Sequence, residues 1–541
     1  MPALALSGTL FIGPLAQALL TSLGAGQPSL AAYAAVLGSP GFRADFAFTI
    51  ALGVGTVAGC TLVALPLALL LRRPFRGRQL AWLLALLPFV TPHIIAAYAL
   101  RLTLSPASPL LFWLPQSGRD GIALVNAWPG LLIVLIWKHF PLLLLSLSAA
   151  LQRLPPSVEE AARDLGAGTW RRLRTIVLPL IGPGWAAGAT LVLVLSVSQF
   201  TISLIIYGGQ RLTTVPIDIY FETFSSRQPA IAAALGLLLL LLTLGLAAVS
   251  SRVGRQSNAG AGGGVRAAAP AEALPSPRGR LAAGLLLAGL IVGVLAPVLS
   301  LILTSFSSQW LGGTPLPSRY TLRWYSYLFR YENGLAALGQ SVLFALAAAG
   351  LTALTGVPAA YALARYRFPG RGAIEALFLA KGATPVILIA VGTASLFYRW
   401  GLADTFLGVT LAHSVGALPL VLRGATAAFE QLDLAQEQAA RDLGAGWLRR
   451  VVTIVLPQAA PGIAAAVALA FLFSMDEFTV TFLISGVRYS TLPLRLYSAL
   501  SQGYIEPAAA AAVLLLIPSL LYLLALLRFF GPGLLTSAGG E

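Results

Sequence analysis

Polar side chains interrupt several apolar stretches of this 541-residue chain, and they are the groups that could contact a solute or an ion. The clearest are two consecutive acids, Asp476 and Glu477, whose carboxylates could attract a cation. Ionisable residues in apolar surroundings commonly mark transport pathways. The alternative is structural, since acids can be solvated near an external vestibule and a lysine can snorkel inside a helical bundle. The predicted translocation path consists of Ser198, Gln199, Asp476, Glu477, Lys138 and His139.

Other chemistries find little support in the residue pattern. The three histidines (His93, His139 and His413) are far apart in the sequence, and Cys60 is the single cysteine. We therefore predict no metal site and no internal disulfide. The sequence lacks the G-x-x-x-x-G-K-[ST] phosphate-binding loop, so ATP and Mg²⁺ are not expected as cofactors of this chain. No nucleophile arrangement indicates a membrane-embedded enzyme, and no catalytic residue is predicted.

The composition requires a membrane. Apolar residues make up 57% of the chain, charged residues make up 10%, and the mean hydropathy is +0.84, whereas a soluble protein carries about 25% charged residues. A membrane-spanning helix needs about 20 apolar residues. Because backbone groups in lipid must be paired within the segment, every span should be a helix. The predicted spans are 3–24, 44–70, 79–101, 127–150, 183–206, 229–250, 281–305, 335–362, 373–398, 405–428, 461–484 and 508–530.

Positive charge is distributed unevenly between the loops. The net charge of +16 could indicate nucleic-acid binding, but the arginines lie in short loops between apolar stretches, so no nucleic-acid partner is predicted. Loops on one side of the predicted membrane contain 20 Lys and Arg residues, and loops on the other side contain 10. The positive-inside rule makes the first side cytoplasmic, with both termini inside. The N-terminal stretch has no preceding basic region and is predicted to be an uncleaved span.

The chain contains an internal repeat. Residues 159–184 and 437–462 are identical at 18 of 26 positions at a shift of 278, and earlier motifs match at a shift of 293. The difference corresponds to a 15-residue insertion, which we place in the loop 102–126. A Gly-, Ala-, Pro- and Ser-rich segment at 251–280 predicts a flexible cytoplasmic linker.

The repeat predicts an all-α polytopic membrane protein with about 12 transmembrane helices, arranged as two homologous six-helix halves. The halves are residues 1–250 and 281–541. Because six spans is an even number, the halves share one orientation and should be related by an axis along the membrane normal, with the path between them. Each half has a long polar loop, loop A (151–182) and loop B (429–460), on the predicted cytoplasmic side.

Loops A and B are predicted to form short helices. In loop A, Ser157-x-x-Glu160 is a capping box that can start a helix, and Gly166 can end it. A second, basic helix should end at Pro179. The corresponding signals in loop B are Asp433, Gln436, Gly444 and Pro457. A helix–turn–helix of this kind predicts a docking site for a partner protein, and the alternative is a plain amphipathic connector.

These loops resemble the E-A-A-x3-G-x9-I-x-L-P motif of binding-protein-dependent ABC-transporter permeases. Loop A matches it from Glu160 to Pro179, and loop B from Gln438 to Pro457, where glutamine replaces the family's glutamate and Glu437 lies one residue earlier. The resemblance covers essentially the whole chain, which looks like two type I importer subunits fused in tandem. It implies that the ATPase-coupling residues are Glu159, Glu160, Ala161, Ala162, Asp164 and Gly166 in loop A, and Glu437, Gln438, Ala439, Ala440, Asp442 and Gly444 in loop B.

The resemblance also implies partners, a location and a substrate class. Two copies of a separate ABC ATPase would bind the cytoplasmic loops, and a periplasmic or extracellular solute-binding protein would deliver the solute to this inner (plasma) membrane permease. Segment 474–486 is similar to polyamine-type permeases, whereas fused permeases are also typical of thiamine and ferric-iron importers, so a small organic cation is favoured. The alternative, an ion-gradient-driven secondary transporter with twelve spans, would explain the repeat but not two polar loops.

Overall fold

The computed structural model describes residues 8–24, 28–105, 108, 127–207, 213–259, 277–310, 314, 316–486 and 488–537. Within these residues the chain is helical apart from turns and one isolated bridge, which confirms the all-α fold class. The helices of the first half are α1 (Gly13–Leu23), α2 (Ala31–Gly38), α3 (Pro40–Leu71), α4 (Arg78–Val90), α5 (His93–Thr103), α6 (Trp128–Gln152), α7 (Pro156–Asp164), α8 (Thr169–Arg172), α9 (Leu178–Val197), α10 (Thr201–Tyr207), α11 (Val215–Phe224) and α12 (Pro229–Ala259). Those of the second half are α13 (Pro277–Phe306), α14 (Arg323–Arg330), α15 (Gly334–Arg365), α16 (Arg371–Ala383), α17 (Val386–Trp400), α18 (Phe406–Glu430), α19 (Leu434–Asp442), α20 (Trp447–Arg450), α21 (Leu456–Asp476), α22 (Thr479–Ile484), α23 (Leu492–Ser501) and α24 (Ile505–Ser537).

Nine helices in the described part of the chain are long and apolar enough to cross a membrane. Two further helix pairs are long and apolar enough only when each pair is counted as one span. Both pairs bend sharply, α4 with α5 by 106° and α16 with α17 by 102°, and counting them gives up to eleven spans. Each bend falls at a Thr-Pro step, Thr91-Pro92 or Thr384-Pro385, because proline pushes the preceding residue out of the α conformation. The first predicted span, 3–24, contains a shorter apolar helix at Gly8–Leu23, so twelve full spans are not found in the described residues.

The fifth and eleventh spans begin inside loops A and B instead of after them. In the first half the helix runs on from loop A through a π turn at Leu173–Val177 and ends at Val197, and the second half repeats this course. The predicted helix ends at Pro179 and Pro457 are therefore wrong. A π turn leaves a carbonyl without its usual donor, so a proline lacking an N–H is tolerated beside it. The spans predicted at 183–206 and 461–484 start earlier, and their last residues form α10 and α22.

The segment between the halves is more helical than its composition predicted. Within the expected linker 251–280, α12 continues to Ala259 and α13 begins at Pro277. Residues 260–276 lie outside the described residues, as does most of the predicted insertion loop 102–126.

The halves interlock through their first helices. Helix α1 packs against α17 of the second half, where a Cβ on Gly392 would come within 2.8 Å of Pro14. In the reciprocal arrangement α13 packs against α4 and α5, and Trp137 Nε1 donates a 3.0 Å hydrogen bond to the carbonyl of Gly293. Each half therefore supports the bent helix pair of the other.

Equivalent residues of the two halves meet at Thr201 and Thr479. Their hydroxyl oxygens are 3.1 Å apart in a buried position, and the residues are related by the shift of 278. Contact between equivalent residues is typical of a two-fold axis. The two copies of the sequence repeat therefore form two structurally equivalent halves, with an interface between them where a path can form.

Candidate coupling and translocation site

Loops A and B contain short helices that end in the same way. Helix α7 is followed by Gly166 at φ +77° and α19 by Gly444 at φ +83°. In loop A the N–H of Gly166 donates to Arg163 O at 2.8 Å, and the N–H of Ala167 donates to Ala162 O at 2.9 Å. Loop B repeats both bonds. This is the Schellman arrangement, which favours glycine at positive φ, so both predicted helix ends are confirmed.

The two helices start differently. Helix α7 begins at Pro156 after a second proline and has no side-chain cap, so the predicted capping box of Ser157 and Glu160 is wrong. A proline already has the φ of a helix and needs no donor in the first turn. In loop B, Asp433 accepts a 2.9 Å hydrogen bond from the N–H of Ala435 and caps α19 as predicted.

An arginine at the end of α3 or α15 holds each short helix. Arg72 Nη2 lies 2.7 Å from Glu159 Oε1, and Arg365 Nη2 lies 2.8 Å from Glu437 Oε1. Both pairs link equivalent residues, since the arginines match at a shift of 293 and the glutamates at 278. The two glutamates therefore fix the loops to their own halves. These arginines are not among the predicted site residues, although they recur at equivalent positions in both copies of the repeat.

Most of the other residues predicted to couple to an ATPase are exposed. Beside them, Leu165 and Leu443 are each 88% exposed at the ends of α7 and α19, and Trp170 and Trp447 are exposed as well. Large apolar side chains presented at the same place in both halves indicate a protein contact. The exposed predicted residues are Glu160, Ala161, Asp164 and Gly166 in loop A and Gln438, Ala439, Asp442 and Gly444 in loop B, with Ala162 and Ala440 half-buried.

Lys138 lies at the break between α4 and α5. Its buried ammonium group donates to three backbone carbonyls there. The last carbonyls of a helix lack intrahelical donors and carry partial negative charge, so the lysine stabilises the broken end. At the equivalent position of the second half is Gly416, and the ring of Phe473 packs over it. The three acceptors are Pro88 O at 3.2 Å, Phe89 O at 3.0 Å and Thr91 O.

The two predicted acids have different surroundings. Asp476, at the end of α21, accepts a 2.9 Å hydrogen bond from the N–H of His93, the first residue of α5 in the other half. Glu477 is buried, and its Oε1 accepts a 2.8 Å hydrogen bond from the N–H of Val480 at the start of α22. One acid therefore bridges the halves at the break that Lys138 also contacts, while its neighbour caps a short helix.

The remaining predicted path residues make fewer contacts. The buried hydroxyl of Ser198, the equivalent of Asp476, has no hydrogen-bond partner, and neither does Nδ1 of His139. Gln199 is half-buried beside Ser198. No three side chains that could ligate a metal come together within the described residues. Asp476 places a carboxylate at the contact between the halves.

Aromatic rings surround the contact between the two threonines. Tyr220 and Phe482 join the halves with ring centroids 5.8 Å apart. Helix α9 has 20 residues and spans about 30 Å, so this cluster lies far from loop A. The halves are closed together at this end of the bundle. The equivalent pairs are Phe200 with Tyr220 at 5.7 Å and Phe478 with Tyr497 at 5.2 Å.

Two short helices, α11 and α23, are anchored alike at the same end. The N–H of Val215 donates to Thr49 Oγ1 at 3.0 Å, and the equivalent N–H of Leu492 donates to Ser341 Oγ at 2.8 Å. On α11, burial raises the pKa of the Asp218 carboxyl to about 7. Such anchoring gives each half a fixed surface at the end away from the loops.

A duplicated helical bundle with an exposed polar loop in each half is the architecture expected of a membrane permease built from two fused subunits. Residues 61–255 and 353–536 both match the family described as the binding-protein-dependent transport system inner membrane component. The chain belongs to this family and is a multi-pass inner-membrane permease of ABC importers.

Individual relatives match one half or both. The chain is 31% identical over 252 residues to the spermidine/putrescine transport system permease protein PotC of Escherichia coli (strain K12), covering 46% of this chain and 93% of that protein. It is 26% identical over 455 residues to the putative ferric transport system permease protein FbpB 1 of Haemophilus influenzae, covering 82% of this chain and 69% of that protein. A solved bacterial ABC transporter involved in import of the acidic polysaccharide alginate matches 48% of this chain and all of its own chain, at 18% identity and a TM-score of 0.40.

Proposed function

We propose that this chain forms the translocation path of an ATP-driven importer for a small organic cation of the polyamine type, delivered by a solute-binding protein. The observation that carries the coupling role is the duplicated loop. Both copies present an exposed leucine at a Schellman end, and an ion pair fixes each to its own half. One ATPase copy would bind each loop on the cytoplasmic side, so two copies are expected, and both termini of the chain would be cytoplasmic.

The mechanism follows from the continuity between loops and spans. Each loop passes through a π turn into a membrane helix, so displacement of a loop moves α9 or α21 directly. Closure of an ATPase dimer would then rock the halves about their interface and separate Thr201 from Thr479. Nucleotide can drive this change only by binding one arrangement of the halves more tightly than the other.

The substrate class rests on the relatives and on one carboxylate. A polyamine is supported by the similarity to PotC and to the putrescine transport system permease protein PotI of Escherichia coli (strain K12), which is 30% identical over 228 residues. Asp476 supplies an anionic group at the interface of the halves. A ferric ion is the second candidate, since FbpB 1 aligns with 82% of the chain.

Uptake by the reconstituted complex tests the function. The chain would be placed in vesicles with its partner ATPase and binding protein, and uptake of putrescine, spermidine, thiamine and ferric ion would be compared with and without ATP. We expect ATP-dependent uptake of an amine. Uptake that follows an ion gradient without the ATPase would contradict the coupling role, and uptake of ferric ion alone would replace the substrate class.

A further inference from the structure

Asp476, the predicted acid at the interface of the halves, is in contact with His93 of the other half. Asp476 Oδ2 lies 2.7 Å from His93 Nδ1, and Asp476 Oδ1 accepts the backbone N–H of His93 at 2.9 Å. An ionised carboxylate at Asp476 can only accept hydrogen bonds, so the imidazole form that pairs with it is one with a hydrogen on Nδ1. The two residues are 383 positions apart and belong to different halves.

Both side chains remain partly accessible although they lie among apolar helices. The side-chain exposure is 38% for His93 and 20% for Asp476. Their charged neighbours are engaged elsewhere, since Lys138 binds backbone carbonyls and Glu477 caps α22. This contact therefore leaves one carboxylate and one imidazole partly accessible at the interface of the halves.

We infer that Asp476 binds an ammonium group of the substrate and that His93 occupies this carboxylate while the path is empty. This inference rests on the proposed function. A carboxylate in low-dielectric surroundings needs a partner, and the imidazole provides one until an amine arrives. The substrate's ammonium would replace the ring on Oδ2, while the backbone N–H of His93 stays on Oδ1.

The repeat limits this site to one copy. At the position equivalent to Asp476, the first half has Ser198, whose hydroxyl is buried without a partner. Where His93 stands, the second half has Val386 at the start of α17. An elongated amine would therefore place one ammonium at Asp476 and meet a neutral hydroxyl on the other half.

Binding of radiolabelled putrescine to the purified full chain tests the inference, with 1,4-butanediol as an uncharged competitor of the same length. Asp476→Asn keeps an acceptor for the N–H of His93 but removes the charge. Because hydrogen bonds to charged groups are strong, we expect it to weaken putrescine binding by about tenfold or more, whereas butanediol should not compete with putrescine. Asp476→Glu should retain much of the affinity.

His93→Ala should change the putrescine affinity in the opposite direction to Asp476→Asn. Removing the ring leaves Asp476 without its resident partner, so putrescine should bind severalfold more tightly than to the unmodified chain. Glu375→Gln is the matched control, since it removes one carboxylate from an exposed pair on the surface of α16 and should leave binding unchanged.

The outcomes separate this inference from the proposed function. Unchanged putrescine affinity in Asp476→Asn, or weaker binding in His93→Ala, would overturn the site while leaving an amine importer intact. The site would also be overturned, and the amine importer left intact, if the full chain bound no putrescine while the assembled transporter imported it. Failure of the assembled transporter to import any amine would overturn the proposed function itself.

Discussion

Arg72 and Arg365 hold equivalent positions, yet their ion pairs differ in burial. Side-chain exposure is 24% for Arg72 and 22% for Glu159, against 7% for Arg365 and 16% for Glu437. Because less water reaches the second pair, removing its carboxylate leaves a poorly solvated guanidinium. We expect Glu437→Gln to lower the free energy of unfolding by about 3 kcal/mol, and Glu159→Gln by about 1 kcal/mol.

Thermal unfolding of the detergent-purified chain measures this difference. Glu375→Gln is again the control, since its pair with Arg371 lies on an exposed helix surface and should contribute little. Equal losses from Glu159→Gln and Glu437→Gln would contradict the argument from burial.

Asp218 should make the stability of the protein depend on pH. Burial is the main reason that its pKa rises from 3.8 to about 7, against the lowering effect of the hydrogen bond from Thr213 and with smaller contributions from the carboxylates of Asp45 and Glu222. A raised pKa means that the protonated acid is favoured in the folded protein. The stabilisation is complete below about pH 4 and is lost as pH rises through about 7.

Asp218→Asn keeps an acceptor for Thr213 and removes this titration. We therefore expect the variant to gain stability over the unmodified protein as the pH is raised from 4 to 8. Thermal unfolding midpoints of both proteins across this range provide the test. A difference that stays constant with pH would show that Asp218 does not titrate in this interval.

At the scale of elements, the sequence predicted the helices and their repeat but not how the helices join. Gly166 and Gly444 indicated the helix ends in loops A and B because positive φ favours glycine. The π turns have no sequence signal, so the sequence predicts a helix end at Pro179 although the helix passes through this residue. The contact of Asp476 with His93 depends on how the halves pack, and no local pattern encodes it.

Gly166→Ala should weaken the end of α7 through backbone strain alone. No atom lies within 4 Å of the added Cβ, but φ is +77°, a conformation that costs an alanine about 1 kcal/mol. Gly168→Ala is the matched control, because Gly168 also has free space around it but φ is −64°. We expect Gly166→Ala to reduce ATP-driven uptake and Gly168→Ala to leave it unchanged. Equal effects would show that the Schellman end does not position the docking surface.

The break between α4 and α5 should depend on Lys138. Lys138→Met leaves three carbonyls without their donor, and we expect the free energy of unfolding to fall by about 2–3 kcal/mol. Lys381→Met is the matched comparison, because the buried ammonium of Lys381 has no hydrogen-bond partner. Its removal should be neutral or stabilising. Thermal unfolding of both variants gives the answer, and a stable Lys138→Met protein would contradict the role of the lysine.

At the scale of the whole molecule, the two halves behave as one interlocked unit closed at one end. The first helix of each half packs on the bent helices of the other. The aromatic cluster around Thr201 and Thr479 closes the interface at the end opposite loops A and B. The proposed path between the halves would require this cluster to open, because Thr201 and Thr479 are in direct contact there.

A reversible crosslink at Thr201 and Thr479 tests whether that opening is necessary. The hydroxyl oxygens are 3.1 Å apart, so cysteines at both positions should oxidise to a disulfide, after the buried native thiol is removed by Cys60→Ala. We expect oxidation to abolish uptake and substrate-stimulated ATP hydrolysis, and reduction to restore both, because the halves can no longer part at the axis. Each single cysteine variant controls for the substitution. Undiminished uptake by the oxidised protein would show that solute does not pass between the halves at this point.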